Sequence, residues 1–288
     1  MACCSAVLLE LAGRHPLLRD NLAAQGTDHS RLVLDARRLL FASPLDLTAA
    51  AATAHTHAAA GAHAALLLPE SPDVTAYMQR MDLLKAMPPG TRVEGSVPDE
   101  TRTDRSTTLL EVAALRPDTA DAVSQALGRV ATLHLGPRDG RRVFKGIGEL
   151  IDNAISHGAS TSGAFIAAQA YSGKTTGYRR LEIAVCDTGI GVLTHLRRNP
   201  AHSRVTTSAE ALERAVEPGV SGTRDTRGNG LPDLLAGTSD TAATRLVLRS
   251  GDGLLRAGRL RRAAVTRAIS TTVPVQGTWS WLRVSYRS

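Results

Sequence analysis

Hydrophobic and polar positions divide the chain into two patterned blocks separated by a polar stretch. At the start, Val7, Leu8 and Leu11 suggest a short helix, and a polar run follows to about Ser30, so residues 1–30 read as an N-terminal segment. From Arg31 the pattern gives a strand at Leu32-Val33-Leu34, a turn at Ser43-Pro44 and an alanine-rich helix from Leu45 to about Ala62. A buried strand from Ala64 to Leu68 and a helix from Ser71 to Met87 complete a β-α-β-α block over residues 31–95. Pro88-Pro89-Gly90 and the weakly apolar residues after Glu94 predict a linker over 96–107. Leu109–Leu115 and Ala120–Leu135 then read as helices at the head of a second domain, 108–288.

Within that domain three segments carry chemistry. Glu149 and Asn153 are four residues apart and share one helix face, while Leu150, Ile151, Ala154 and Ile155 form the stripe that anchors it. The β-rich run Leu181–Cys186 ends at Asp187, which enters the glycine turn Thr188-Gly189-Ile190-Gly191. Gly189 and Gly191 let the backbone lie close to a nucleotide, and the Asp187 carboxylate can accept from an adenine amino group. Gly228-Asn229-Gly230 opens the apolar run Leu231, Leu234, Leu235, where free amides at a helix start would face phosphate oxygens. Phosphoryl transfer from ATP needs magnesium held by oxygen ligands and a base for the attacking group, roles that Asn153 and Glu149 can fill. Singly, each segment is more often a solvated helix face or a turn after a strand; their joint order reverses that.

These segments resemble the N box, G1 box and G2 box of the GHKL superfamily, which includes gyrase B subunits, ninety-kilodalton heat-shock chaperones, sensor histidine kinases and anti-sigma serine kinases. The resemblance covers about residues 105 to 288. It implies a Bergerat-type ATP-binding fold, an α/β (α+β) sandwich with helices on one face of a mixed sheet. By the same resemblance Glu149 is the general base, Asn153 the magnesium ligand and Asp187 the adenine partner. Gly189, Gly191, Gly228 and Gly230 become the nucleotide cradle, and Thr278, after Gly277 and before the apolar strand Trp279–Val284, helps hold the adenine. Sensor histidine kinases commonly carry an amide where Glu149 stands, and none of the 9 histidines has the context of a phosphoacceptor. Hydrolysis or transfer to serine or threonine is therefore the expected chemistry, with ATP and Mg2+ as cofactors.

The first block is similar to a STAS domain, the phosphorylatable partner of anti-sigma kinases, over residues 31 to 88. That family's acceptor turn reads D-S-S-G, whereas here it is Ala42-Ser43-Pro44-Leu45. The connection 192–226 is long enough for an active-site lid, and its Arg224 and Arg227 are candidates to reach a γ-phosphate.

Composition narrows this reading little. The 288 residues allow two domains, and 43% hydrophobic residues suffice for packed cores. The net charge of +7 admits an acidic partner, but 3% aromatic residues leave few stacking platforms, so nucleic acid is not expected and the late arginines read as solvated. Cys3, Cys4 and Cys186 form neither a disulfide framework nor a C-x-x-C pair, which suits a reducing cytoplasm. No run predicts a membrane span. Gly173-Lys174-Thr175 only imitates a P-loop end and reads as a hairpin tip. His55, His57 and His63, placed on the alanine-rich helix, do not share a face and predict no metal cluster. Two functions follow as expectations: a Mg-dependent ATPase or protein serine/threonine kinase in regulatory signalling, or a non-catalytic ATP-dependent switch that presents a surface to a regulatory protein. A homodimer is compatible with either.

Overall fold

In the computed structural model, which describes residues 6–11, 13, 23–99, 104–156, 163–174, 177–220, 231–232, 235, 242–260 and 263–287, the chain builds two sheets with one helix packed between them. The first sheet is four-stranded and parallel, in the order β1 (Ala6–Glu10), β2 (Asp28–Asp35), β3 (His63–Leu67), β4 (Arg92–Glu94). The second is five-stranded, in the order β5 (Leu109–Leu115), β6 (Ala164–Tyr171), β7 (Tyr178–Asp187), β9 (Ala263–Arg287), β8 (Ala242–Leu260). Every pairing in it is antiparallel. The class is thus α+β, but this sheet is not the mixed one expected, and both of its faces are covered.

Helix α1 (Pro44–Ala59) lies on one face, with Ala49, Ala50, Ala51, Ala52 and Ala54 all fully buried. A helix that is apolar all round belongs inside a protein, and alanine lets it lie between two sheets. Its core joins Leu9, Leu34 and Leu66 of the parallel sheet to Phe165, Ala184, Cys186 and Trp281 of the antiparallel one. Polar contacts cross between the blocks as well: Tyr77 donates to Gln169, Arg80 pairs with Glu111, and Val112 N donates to Met81 O over 2.9 Å.

On the opposite face lies α4 (Ala120–Ser156), which is broken at Gly136 (φ 75°, ψ 169°) ahead of Pro137. Only glycine takes that backbone conformation readily, and proline suits the first turn of the helical segment that follows. Residues 120–135 and 137–156 fold back on each other. A Cβ on Gly140 would fall 2.8 Å from Thr132 Cα, and one on Gly128 would fall 3.2 Å from the Phe144 ring. The second arm buries Ile147, Leu150, Ile151 and Ala154 against Ile166, Leu181, Ile183 and Val185.

Two elements differ from the periodicity reading. Residues 6–10 form a strand, because Val7 and Leu9 are buried while Leu8 is 41% exposed; an apolar residue on the solvent side disguised the alternation. Leu109–Leu115 is also a strand. Its pairing with β6 slips between Leu110 and Ala113, so the buried residues fall at Leu109, Val112 and Leu115 and imitate a helical spacing. His63 begins β3 rather than lying on α1. The helix expected over 71–87 is split into α2 (Pro72–Arg80) and α3 (Leu83–Ala86) by Asp82 at φ 57°. Among the late arginines, Arg249 is buried rather than solvated.

Candidate functional site

Alternation along β7 assigns its side chains to faces. Leu181, Ile183 and Val185 join the α4 core, whereas Ala184 and Cys186 join the α1 core, with Cys186 Sγ 3.2 Å from Thr48 Oγ1. Asp187, the last residue of the strand, continues the first series and so belongs to the face that carries Glu149 and Asn153. On α4, Glu149 is half-buried and Asn153 exposed, with Leu150, Ile151 and Ala154 buried around them. The amphipathic spacing therefore holds the two polar side chains at the rim of the core that Asp187 caps.

Asp187 is only 6% exposed. Its Oδ1 accepts from Gly189 N (2.9 Å) and Thr278 N (3.1 Å). Burial pushes its pKa up to about 6 from the ordinary 3.8, while the two N–H donors pull the other way. Desolvation exceeds the two bonds by roughly 3 kcal/mol. A buried carboxylate with no cation against it among the described residues is costly to keep, and such groups concentrate where a ligand is to be gripped.

The backbone around Asp187 is tied by residues with no conspicuous motif. Gly277 (φ +74°) lies so close that a Cβ there would sit 2.2 Å from Asp187 O. Ser250 Oγ donates to Gly277 O (2.8 Å) and accepts from Val192 N (2.8 Å), so it links β9 to the start of α5 (Gly191–Leu196). Gly191 (φ +74°) makes room for it, since a Cβ there would fall 2.7 Å from Ser250 Oγ. Gln276 Nε2 donates to Gly189 O (2.7 Å) and more weakly to Thr188 O (3.3 Å). Gly277 and Thr278 lie within β9 rather than before it: Thr278 pairs with Ser250, Gln276 and Gly277 bulge out between that pair and Gly251–Val275, and just beyond it a second bulge sets four β9 residues, 271–274, against the single residue Asp252 of β8. Arg249, buried on β8, steadies that bulge through Nη2 to Val273 O (3.0 Å). Bulges of this kind re-aim strands beside functional sites. Sequence reasoning missed Ser250, Gln276 and Arg249; the signal was Ser250-Gly251-Asp252-Gly253 interrupting the apolar β8 run.

Thr278 reaches Asp187 through its main-chain N–H, not its hydroxyl. Gly228, Gly230, Arg224 and Arg227 lie outside the described residues. Leu231, the next residue after Gly230, is helical and buried in the core with Leu150 and Ile151. Much of the expected lid is structured: α5, a 3-10 turn (Pro200–His202) and α6 (Ser208–Ala215) enclose a small core of Leu196, Val205 and Ala211. Ser208 of α6 packs on Gly251 and Gly253, where Cβ atoms would come within 2.6 and 2.7 Å of it.

Ser43 is 3% exposed and caps α1: its Oγ donates to Asp46 Oδ2 (2.7 Å) and accepts from Asp46 N (3.2 Å). This hydroxyl is a structural cap turned away from solvent.

As to a cation, no group of three or more His, Cys, Asp or Glu side chains able to hold a metal occurs among the described residues. Magnesium on a nucleotide needs few protein ligands, because phosphates and water supply most of its oxygens. One exposed amide oxygen, from Asn153, fits that demand. No described helix is long and apolar enough to cross a membrane. No protein-family model matches this chain, and no curated protein matches it.

Proposed function

We propose that the chain binds Mg-ATP in a GHKL-type site and cleaves or transfers its γ-phosphoryl group. The observation that carries this reading is Asp187: a buried carboxylate at a strand end, fixed by Gly189 N and Thr278 N, with glycines at 277 and 191 where side chains would collide. Oδ1 is occupied by those two donors, which leaves Oδ2 to accept from the amino group of an adenine ring. The ring then replaces the water that the ionised carboxylate lacks. Asn153, exposed one helical turn beyond Glu149, holds the metal-bearing end of the nucleotide through its amide oxygen. The magnesium ion, when bound, neutralises phosphate charge. Glu149, half-buried at the edge of the α4 core, takes the proton of the attacking water or of a serine or threonine hydroxyl.

In this reading residues 31–95 form a STAS-like recognition block and the partner is a regulatory protein. Measurement of ATP hydrolysis and of phosphoryl transfer to co-purifying proteins, for the wild type and Glu149→Ala, tests it. Turnover lost in the variant with binding retained supports an enzyme.

A second reading, a non-catalytic ATP-dependent switch, is favoured by the position of β7. Its last residues serve two masters in alternation: Asp187 points to the nucleotide face, and Cys186 lies against Thr48 of α1. Occupancy of one face is thereby felt by the helix that joins the two sheets. Nucleotide binding without phosphate release in either protein supports the switch.

A further inference from the structure

The face of the antiparallel sheet that packs on α1 turns from apolar to basic toward the start of β7. Ala184 and Cys186 belong to the α1 core, so alternation puts Glu182 and Arg180 on the same face; Trp281 and Val247 place Arg283 and Arg245 there by the same rule. Register completes the arrangement. Glu182 stands opposite Arg283, Arg283 opposite Arg245, and Arg180 opposite Tyr171 of β6. Arg245 is exposed and Arg180 and Arg283 are half-buried, so solvent reaches all three.

Two of these guanidiniums are held in place by aromatic rings: Arg180 Cζ lies 5.3 Å from the centre of the Tyr171 ring, and Arg283 Cζ lies 5.6 Å from that of the Trp281 ring. A ring face attracts the cation above it, while the N–H donors stay in the plane of the guanidinium, to the side of the ring. Charge around them is out of balance. Burial lowers the pKa of Arg283, Glu182 raises it, and Arg245 and Arg180 lower it again, so the three cations act on one another across the strands. Glu182 is the only carboxylate among the described residues that acts on Arg283, and it is itself buried, with burial pushing its own pKa up. Asp46 acts on Glu182 but is held by Ser43 N and Oγ at the start of α1. Like charges directly opposite on neighbouring strands destabilise a sheet, and Arg245 and Arg283 are such a pair. Three guanidiniums against one carboxylate leave an excess of two positive charges.

We propose that Arg180, Arg245 and Arg283 bind a phosphate group in its dianionic form, whose charge matches that excess and whose oxygens span guanidiniums on neighbouring strands. A phosphate monoester carries roughly −1.5 to −2 charge near neutral pH, whereas a carboxylate or a phosphodiester carries a single charge. Planar guanidinium donors fit its oxygens in pairs. The site lies on the other face of the sheet from Asp187 and Asn153, and it does not rest on the nucleotide reading.

Calorimetric titration of the full chain tests this at about pH 7.5, where phosphate is dianionic, and at a constant ionic strength of about 0.15 M, where distant charges are screened. Inorganic phosphate and N-acetyl-phosphoserine amide are the probes. Saturable one-to-one binding of either supports the site; tighter binding of the phosphoserine derivative assigns it to a phosphorylated side chain, and tighter binding of inorganic phosphate to the free anion. Arg245→Gln, at an exposed position, should weaken binding about ten-fold or more and abolish the rise in Tm that phosphate gives the wild type. Arg283→Gln should do the same. Dimethyl phosphate, with a single charge, should bind at least about ten-fold more weakly than either probe. Asn153→Ala should leave phosphate binding unchanged, which separates this site from the nucleotide site. No saturable binding of either probe, affinity that Arg245→Gln leaves unchanged, affinity that dimethyl phosphate matches, or affinity lost in Asn153→Ala overturns the proposal. So does a duplex DNA oligonucleotide whose binding, unlike that of phosphate, depends on Arg245.

Discussion

Gly277 and Asp187 occupy positions that tolerate nothing between them: a methyl group on residue 277 would stand 2.2 Å from the Asp187 carbonyl oxygen and 2.7 Å from its Oδ1. Residue 277 also has φ +74°, where a side chain is strained whatever the space. Gly277→Ala should therefore lower unfolding stability by about 2 kcal/mol or more, and it should displace Asp187 as well. Chemical denaturation and adenine-nucleotide titration of the same variant check this; a variant as stable as the wild type, with unchanged nucleotide affinity, contradicts it.

Asp187 also makes a prediction about pH. Its folded-state pKa is raised to about 6 from 3.8 by burial, so its stabilising contribution is complete below about pH 4 and is lost as pH rises through about 6. Asparagine keeps the acceptor for Gly189 N and Thr278 N without the charge. Asp187→Asn should thus gain about 1–3 kcal/mol over the wild type at pH 7.5, and this gain should shrink toward pH 4. Unfolding curves of both proteins across pH 4–8 test the sign. Binding runs the other way, because the amino group needs the ionised acceptor: adenosine affinity of the wild type should fall roughly ten-fold per pH unit below about 6. Adenosine has no phosphate to titrate, so the effect belongs to the carboxylate.

Glu149 and Asn153 should separate catalysis from binding. Glu149→Ala should keep nucleotide affinity within a few fold and reduce phosphate release or transfer by about 10²–10⁴-fold. Asn153→Ala should remove the magnesium-dependent part of the affinity. Because Asn153 is exposed, stability should change by no more than about 0.5 kcal/mol. Titrations with and without magnesium, beside a phosphate-release assay, give both readouts.

Ser43 should behave as a cap. Ser43→Ala removes one side of a reciprocal pair with Asp46 at the buried start of α1, at a cost of about 1–2 kcal/mol. Intact protein incubated with ATP and its partner should carry no phosphate on Ser43, as mass spectrometry would show. Phosphoserine at this position with the fold retained would contradict the capping role.

Much of the fold was legible where one period dominated. The runs at Leu32–Leu34, Ala64–Leu68 and Leu181–Cys186 are strands, and the alanine-rich stretch is a helix, because their spacing admits one solution. Reading failed where tertiary structure changed the phase. The bulge between Leu110 and Ala113 gave β5 a period near three, and Leu8 put an apolar residue on the solvent side of β1. The break at Gly136, by contrast, was legible: the helix expected from Ala120 to Leu135 ends there, ahead of Gly136-Pro137. At the candidate site, Asp187 stood out because glycines follow it directly. Ser250, Gln276 and Arg249 act on it through folding of distant strands, and no local spacing betrays contacts across 87 or 91 residues such as Gln276 to Gly189 and Thr278 to Asp187. The covering of the sheet's second face by α1 is likewise a property of how blocks dock, not of any one segment.

The central claim is that the Asp187 carboxylate receives an adenine ring. Calorimetric titration of the full chain with a non-hydrolysable ATP analogue and magnesium at pH 7.5, for the wild type and Asp187→Asn, tests it most directly. The account predicts saturable one-to-one binding to the wild type and a loss of at least about 30-fold in the folded variant, as for a charge-assisted bond removed from a buried site. Absence of binding to the wild type, or equal affinity in the two proteins, would contradict it.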